Sequence, residues 1–257
     1  MNYQAIIDMV IKASEFALDG SLSGSVDMKG SADFVTAADL KISAYVKEQL
    51  KTLSPGSGFM SEEEQSDPGS EYWILDPVDG TTNLVYGYGM SSVSLAHFDG
   101  EKVDFGVIYN PFNKELFTAK SGEGVYLNGK KVPPAPDRQL SDCIIEFGAG
   151  STCKQYTEQS FAVAKEVFTN CLDLRRICST ALAIAYVACG RINGYFERVI
   201  KPWDYAAASL MLKECGCVCS DWNSKPVPYH RCSSSYVCGT PKAYDFLVKT
   251  IQKYDNK

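Results

Sequence analysis

The spacing of apolar residues predicts two helices near the start of the chain. The first covers Tyr3 to Leu18, after which Gly20 is placed to end it, and the second runs from Thr36 to about Leu53, where Pro55-Gly56 follows. Between the helices, residues 20–31 (GSLSGSVDMKGS) are rich in Gly and Ser, which is typical of a mobile surface connection. Each helix has one apolar face, so we expect both to pack on a core.

After the second helix, the pattern changes to short strands and tight turns. Tyr72–Leu75 predicts a buried strand, and Asp99-Gly100 and Asn128-Gly129 are strong hairpin signals. Four more strands are expected around these turns, in the segments SVSLAHF, KVDFGVIYN, KELFTAK and GVYLNGKKV. The first half of the chain is therefore predicted to place two helices against an antiparallel sheet.

The second half alternates between strands and helices. The expected strands are Ile144–Phe147, Leu172–Ile177, Tyr195–Val199, Cys217–Asp221 and Tyr236–Cys238. The expected helices are Glu158–Phe168, Ser179–Cys189, Pro202–Cys215 and a last helix capped by Thr240-Pro241. Such alternation favours an α/β protein with helices and sheets stacked in layers. We expect a single domain over residues 1–257, with halves of about 1–140 and 141–257.

Composition narrows the class of protein. The chain has 257 residues, 45% apolar and 22% charged, as in an ordinary globular protein. The net charge of −6 argues against a general nucleic-acid binder, although a bound cation would still allow an anionic substrate. No window reaches the ~20 uninterrupted apolar residues of a membrane span, and the charged first helix does not resemble a secretory signal. We expect a cytoplasmic protein with neither nucleic acid nor membrane as a partner.

The ten cysteines predict neither disulfides nor a zinc centre. A chain of this length needs no covalent staples, and Cys178 and Cys189 lie in apolar segments, so we expect them to be free and buried. The run from Cys215 to Cys219 lacks Cys-x-x-Cys spacing, and Cys217 and Cys219 are expected to be small core residues on one face of a strand. A cysteine-based metal or redox protein is the alternative, which zinc analysis would decide.

The segment ILDPVDGTTN carries the strongest chemical signal. Asp76 and Asp79 follow an apolar strand on a stiff, proline-containing spacer, and carboxylates so close repel each other unless a cation or a shared proton lies between them. Oxygen ligands suit Mg²⁺ or Mn²⁺, and the carbonyl of Val78 is free to join them. If a helix begins at Gly80-Thr81-Thr82, its N–H groups would attract phosphate oxygens. The alternative, helix capping, needs only one aspartate.

Three other acidic positions each have a structural alternative. Glu62 belongs to an acidic run that is typical of a solvated loop, but this run lies just upstream of the aspartate pair. Asp204 opens an alanine-rich helix, where an acid complements the helix dipole. Asp39 fits a capping box with Thr36, and a cap is compatible with a place at a metal site.

WILDPVDGTTN, together with KPWDYAAASL, resembles the paired signatures of the inositol monophosphatase family. The segments DFVTAAD, GFMSEEE, GEGVYLNGKKV and YFERVIKPWD follow in family order, so the resemblance covers nearly the whole chain. It implies an αβαβα five-layer sandwich of the inositol monophosphatase and fructose-1,6-bisphosphatase type, usually a homodimer. It also implies a Mg²⁺-dependent, lithium-sensitive hydrolysis of a small-molecule phosphate ester, most readily inositol monophosphate.

The resemblance implies roles for individual residues as well. Two or three Mg²⁺ ions, or Mn²⁺ in their place, would be held by Glu62, Asp76, the Val78 carbonyl, Asp79 and Asp204. Thr81 and Glu62 would position the attacking water, and Asp39 would complete this network. Substrate contacts would come from Asp79, Gly80, Thr81, Ser179, Thr180, Ala181, Glu197 and Asp204. The Gly-Ser segment would be a mobile lid, but its Lys29 aligns too poorly to be assigned a role.

Two departures from the family pattern concern the substrate. Ser179 stands where the family often has Gly, and Tyr86 stands where His is usual. Neither is a predicted metal ligand. Hydrolysis of fructose 1,6-bisphosphate or 3′-phosphoadenosine 5′-phosphate is therefore an open alternative, although Glu197 favours a sugar-alcohol monophosphate. A different class, a non-catalytic regulator associated with RNA or RNA polymerase, is disfavoured by the acidic net charge and the complete ligand set.

Overall fold

A computed structural model describes residues 1–30, 33–64 and 69–255 of the chain. Its helices are α1 (Tyr3–Leu18), α2 (Gly20–Ser23), α3 (Ala37–Leu53), α4 (Thr81–Val85), α5 (Thr157–Asn170), α6 (Thr180–Ala188), α7 (Pro202–Glu214) and α8 (Pro241–Asp255). Its strands are β1 (Val26–Gly30), β2 (Asp33–Thr36), β3 (Gly58–Ser61), β4 (Tyr72–Asp79), β5 (Ser92–Phe98), β6 (Val103–Asn110), β7 (Glu115–Lys120), β8 (Gly124–Leu127), β9 (Lys130–Lys131), β10 (Ile144–Phe147), β11 (Asp173–Arg175), β12 (Gly194–Ile200), β13 (Val218–Ser220) and β14 (Ser234–Gly239).

Helices and sheets are stacked in five layers, which confirms the predicted αβαβα sandwich. Helices α1 and α3 cover one face of a seven-stranded sheet with the order β3-β4-β5-β6-β7-β8-β9. Helices α6 and α7 lie between this sheet and a five-stranded sheet with the order β11-β10-β12-β14-β13. Helices α5 and α8 form the last layer, and three separate apolar clusters fill the spaces between the layers.

Strand β4 carries the aspartate pair into the protein. All eight of its residues are buried, and it pairs in parallel with β3 and antiparallel with β5. The sequence predicted a strand that ends at Leu75, but pairing with β5 continues through a bulge, with Asp76 opposite Ser94 and Asp79 opposite Ser92. The sequence predicted an antiparallel sheet, but the parallel β3–β4 pair shows that the sheet is mixed.

The segment after α1 contains more regular secondary structure than its composition predicted. Asp19, not Gly20, caps α1, and its side chain accepts the N–H of Ser21 at 2.9 Å to begin the short helix α2. Strand β1 then pairs antiparallel with β2. Residues 20–30 therefore contain regular secondary structure, and their mobility stays a prediction, while residue 31 lies outside the described residues. The β1–β2 hairpin lies beside α4.

Helix α7 begins close to the end of β4. Its Pro202 occupies the first turn, where a missing N–H costs nothing, and Ala206, Ala207 and Ala208 are buried against β5 and β6. The hydroxyl of Ser94 on β5 donates to the carbonyl of Trp203 at 3.4 Å. This packing places the start of α7 at the same end of the large sheet as the aspartates.

The cysteine predictions are confirmed in part. All ten cysteines are free thiols, and Cys217 and Cys219 are partly buried against the central apolar cluster. Cys178 is exposed, contrary to expectation, because it lies in a turn with φ of 59° that leads into α6, and Cys189 is only partly buried. Across the described ranges, we find no helix with the length and apolar character needed to span a membrane.

Candidate active site

Six acidic side chains converge on one cavity of about 450 Å³. The cavity lies where β4, α4, β10 and the first turns of α6 and α7 meet, and its volume is within the range of small-molecule sites. The acids that line it are Glu62, Asp76, Asp79, Glu146, Glu197 and Asp204. The structure thus brings together all four carboxylates that the sequence proposed as metal ligands, and it adds Glu146.

Asp79 is held by four hydrogen-bond donors. Its Oδ1 accepts the N–H of Thr180 at 2.8 Å, while Oδ2 accepts the N–H of Ala181 at 3.0 Å and the hydroxyls of Ser92 and Ser179. Burial raises the pKa of this carboxyl above its ordinary value, although the four donors oppose that rise. The segment that the sequence assigned to the substrate therefore contacts Asp79 in this structure, and it fixes the end of β4 against α6.

Asp76 and its neighbours form a cluster of negative charge. Burial raises the pKa of Asp76 well above its ordinary value, and the charges of Glu62, Asp79 and Asp204 add to this rise. Burial likewise raises the pKa of Glu62 to about 7 and that of Asp204 well above its usual range. Within strand β4, the Oδ1 of Asp76 accepts one hydrogen bond, from the N–H of Val78 at 3.0 Å. The neighbouring charges also repel one another, and a cation between them would relieve that repulsion.

Lys29 on β1 supplies one positive charge to this region. Its Nζ lies 3.2 Å from Glu62 Oε1 and 2.5 Å from Glu63 Oε1. Asp204 lies in the first turn of α7, where its Oδ2 accepts the N–H of Lys201 at 2.7 Å. Within the described parts of the chain, no three His, Cys, Asp or Glu side chains form a closed metal-ligand group. The acids line one cavity, but they do not surround a single point within it.

Thr81 connects the aspartate strand to Asp39. Its hydroxyl donates to the Val78 carbonyl at 3.0 Å and lies 3.3 Å from Asp39 Oδ1. The other oxygen of Asp39 accepts the N–H and the hydroxyl of Thr36 at 2.8 Å and 2.5 Å, so the predicted capping box is present. Asp39 is 1% exposed, and its contact with Thr81 connects it to the cavity that Thr81 lines.

Gly80 makes the turn from β4 into α4 possible. Its φ of 87° is a left-handed conformation, and a Cβ at this position would lie 2.9 Å from the Met90 carbonyl. The amide of Asn83, one turn later, donates to the carbonyls of Met90 and Ile177, both at 2.7 Å. These contacts hold α4 beside the loop that leads into α6.

Glu197 forms the opposite wall of the cavity, and both oxygens of its carboxylate accept hydrogen bonds. Oε1 accepts the N–H of Gly150 at 3.1 Å, and Oε2 accepts the hydroxyls of Tyr195 at 2.5 Å and Thr180 at 3.3 Å. Gly148 leaves the space that this carboxylate occupies, because a Cβ there would lie 2.2 Å from Glu197 Cδ. The acid thereby ties the loop after β10 to β12.

Two residues near the site were missed in the sequence. Glu146 on β10 is 2% exposed, lines the cavity and accepts the N–H of Ile177 at 2.8 Å. A lone acid inside the apolar strand Ile144–Phe147 was the signal that could have revealed it. Arg231 donates to the Ser61 carbonyl at 2.6 Å and lies 4.8 Å from the ring centre of Trp203. It lies in a loop without a motif, so no local pattern pointed to it.

The profile of the inositol monophosphatase family matches residues 2–256, and the chain belongs to this family. "Nus factor SuhB" of Salmonella typhimurium is 35% identical over 227 residues, which cover 87% of this chain and 84% of the relative. "Inositol-1-monophosphatase" of Rhizobium meliloti is 32% identical over 231 residues, covering 89% and 86%.

The fold is shared with a solved family member. The structure of Thermotoga maritima IMPase superimposes with a TM-score of 0.89 at 26% identity, and the match covers 100% of this chain and 99% of that one. The relatives thus agree on family and fold, while their names divide between a phosphatase and a Nus factor.

Proposed function

We propose that this protein is a Mg²⁺-dependent phosphatase that hydrolyses inositol monophosphate to inositol and phosphate. The observation that carries the proposal is the set of carboxylates around Asp76, whose pKa values are raised by burial and mutual repulsion within one cavity. A cluster of like charges does not stabilise a fold, so stability alone does not account for these carboxylates. Members of the family bind Mg²⁺, and one relative is named as an inositol-1-monophosphatase.

The donor set at the cavity fits a hard divalent cation. The acids and the Val78 carbonyl offer only oxygens, and neither histidine of the chain lines the cavity, although Cys178 does. Glu62, Asp76 and the Val78 carbonyl would hold one ion, and Asp76, Asp79 and Asp204 a second. Mn²⁺ would satisfy the same donors, and a weaker third site near Asp39 is compatible with them. When bound, these ions supply neutralisation of the phosphate charge, a more acidic water and stabilisation of the leaving oxygen.

The chain's own residues would orient the reactants. The Thr81 hydroxyl, fixed between the Val78 carbonyl and Asp39, would hold the attacking water by a hydrogen bond, with Glu62 as the second partner. The N–H groups of Gly80 and Thr81 at the cavity wall would donate to phosphate oxygens. Ser179, Thr180 and Ala181 would border the leaving group while holding Asp79, and Glu197 would face its hydroxyls.

Release of phosphate from inositol 1-phosphate tests the proposal. We expect turnover that requires Mg²⁺ and falls on addition of Li⁺, and that exceeds turnover of fructose 1,6-bisphosphate and 3′-phosphoadenosine 5′-phosphate. Asp79→Asn should abolish it. Asp99→Asn is the matched control, because Asp99 accepts two backbone N–H groups in an exposed hairpin turn. Full activity of Asp79→Asn in Mg²⁺ would show that the carboxylates do not hold the ion.

The name of the Salmonella relative favours a second candidate, a regulator associated with RNA or RNA polymerase. This function does not require catalysis. Absence of phosphate release from every ester tested, together with co-purification of RNA polymerase with the folded protein, would favour it over the phosphatase. The predicted homodimer and the cytoplasmic location are part of the proposal, and sedimentation and cell fractionation would test them.

A further inference from the structure

The two acids on the leaving-group side of the cavity differ in how many of their oxygens are free. Glu197 uses both oxygens for internal hydrogen bonds, three in all. Glu146 uses only Oε1, which accepts the N–H of Ile177 at 2.8 Å. Its Oε2 has no partner among the described residues. This oxygen is also absent from the set of buried, unpartnered polar atoms, so it is accessible to solvent. This oxygen therefore reaches the cavity that Glu146 lines.

Burying an acid at the position of Glu146 costs free energy, which is unexpected for a residue without a role. Its side chain is 2% exposed, and the nearby charges of Asp79 and Glu197 are both negative. A glutamine at this position would accept the same N–H of Ile177 and carry no charge. A carboxyl that lines the cavity and has one oxygen without a partner among the described residues matches a ligand group that donates hydrogen bonds.

We propose that Glu146 is a substrate-binding residue whose Oε2 accepts a hydrogen bond from a hydroxyl of the leaving group. This inference rests on the proposed function and adds a residue to the side of the cavity that would face the leaving group. Glu197 then has a different main task, to hold the loop from Gly148 to Gly150 in place and so to shape the pocket around the same hydroxyls.

Kinetics on two esters test the inference. myo-Inositol 1-phosphate carries hydroxyls on its leaving group, whereas 4-nitrophenyl phosphate carries none. Burial raises the pKa of Glu146 to about 7, so the assay is run at pH 8, where its carboxylate is ionised. Glu146→Gln should then lower kcat/KM for the inositol ester about 10-fold or more, mainly through KM, because a hydrogen bond to a charged acceptor is lost. The loss on the aryl ester should be under about 3-fold, so the ratio of the two kcat/KM values changes. Equal losses on both esters, or no loss on either, would overturn the inference.

Glu115→Gln is the matched control. Glu115 is a partly buried acid that pairs with Arg191 and Tyr186 away from the cavity, so its substitution should leave the ratio unchanged. Binding of myo-inositol, followed by ligand-observed NMR, separates this inference from the proposed function. We expect binding to wild type and to the control, and several-fold weaker binding to Glu146→Gln, whether or not the protein releases phosphate. Equal binding to all three proteins, or none to wild type, contradicts the assignment. Absence of phosphate release alone contradicts only the proposed function.

Discussion

Replacement of Glu146 by glutamine should stabilise the metal-free protein at pH 8 and not at pH 4.5. Burial raises the pKa of Glu146 from 4.5 to about 7, and the charges of Asp79 and Glu197 add to this rise. An acid whose pKa is raised in the folded state binds its proton more tightly there than in the unfolded chain. Its stabilising contribution is complete below about pH 4.5 and is lost as the pH rises through about 7.

The pKa shift sets the size of the effect. A change from 4.5 to about 7 corresponds to about 3 kcal/mol at 1.36 kcal/mol per unit, an upper bound because the folded protein relaxes around the charge. Glutamine cannot ionise, yet its amide oxygen still accepts the N–H of Ile177. We therefore expect Glu146→Gln to unfold with about 1–3 kcal/mol more free energy than wild type at pH 8, and to match wild type at pH 4.5.

Urea unfolding, followed by tryptophan fluorescence in EDTA, measures this difference at each pH. Glu115→Gln is a control of opposite sign. Burial raises the pKa of Glu115, but Arg191 and Tyr186 outweigh it and lower the pKa overall, so this variant should lose stability mainly above pH 4.5. If Glu146→Gln changed the free energy of unfolding by the same amount at both pH values, the reasoning about Glu146 would be refuted.

Three further substitutions probe the site. Gly148→Ala should raise KM for inositol 1-phosphate about 10-fold, because its Cβ displaces Glu197; an unchanged KM would contradict this. Arg231→Met should weaken Mg²⁺ binding severalfold in calorimetry, because Arg231 holds the segment that carries Glu62; wild-type affinity would argue against that role. Lys29→Met should tighten Mg²⁺ binding in the same assay, because an ammonium group no longer competes for Glu62, and weaker binding would show that Lys29 assists the ion.

The sequence predicted the layered fold because most of its signals are local. Helix periodicity and glycine punctuation placed α1 and α3 to within about a residue, and the hairpin dipeptides marked the turns of the large sheet. The full length of β4 was not predictable in this way. Aspartates disfavour strands in isolation, and only pairing with β5 across the bulge keeps Asp76 and Asp79 in the sheet. The same holds for β1, which lies at the end of the Gly-Ser-rich segment and pairs with β2.

The candidate site combines residues that sequence motifs reveal with residues that they do not. The proposed ligands Asp76, Asp79 and Asp204 come from two short motifs, and the structure brings them to one cavity. Their roles stay predictions. Glu146 and Arg231 reach the site through contacts with residues far away in sequence, and such contacts leave no spacing that a single chain reveals.

A crystal soaked in Mn²⁺ and phosphate tests the central claim most directly, because manganese can be located by its anomalous scattering. The account predicts anomalous peaks in contact with the carboxylates of Asp76 and Asp79, and with at least one of Glu62 and Asp204, with phosphate oxygens beside them. Carboxylates that point away from one another, with no anomalous peak between them, would contradict it.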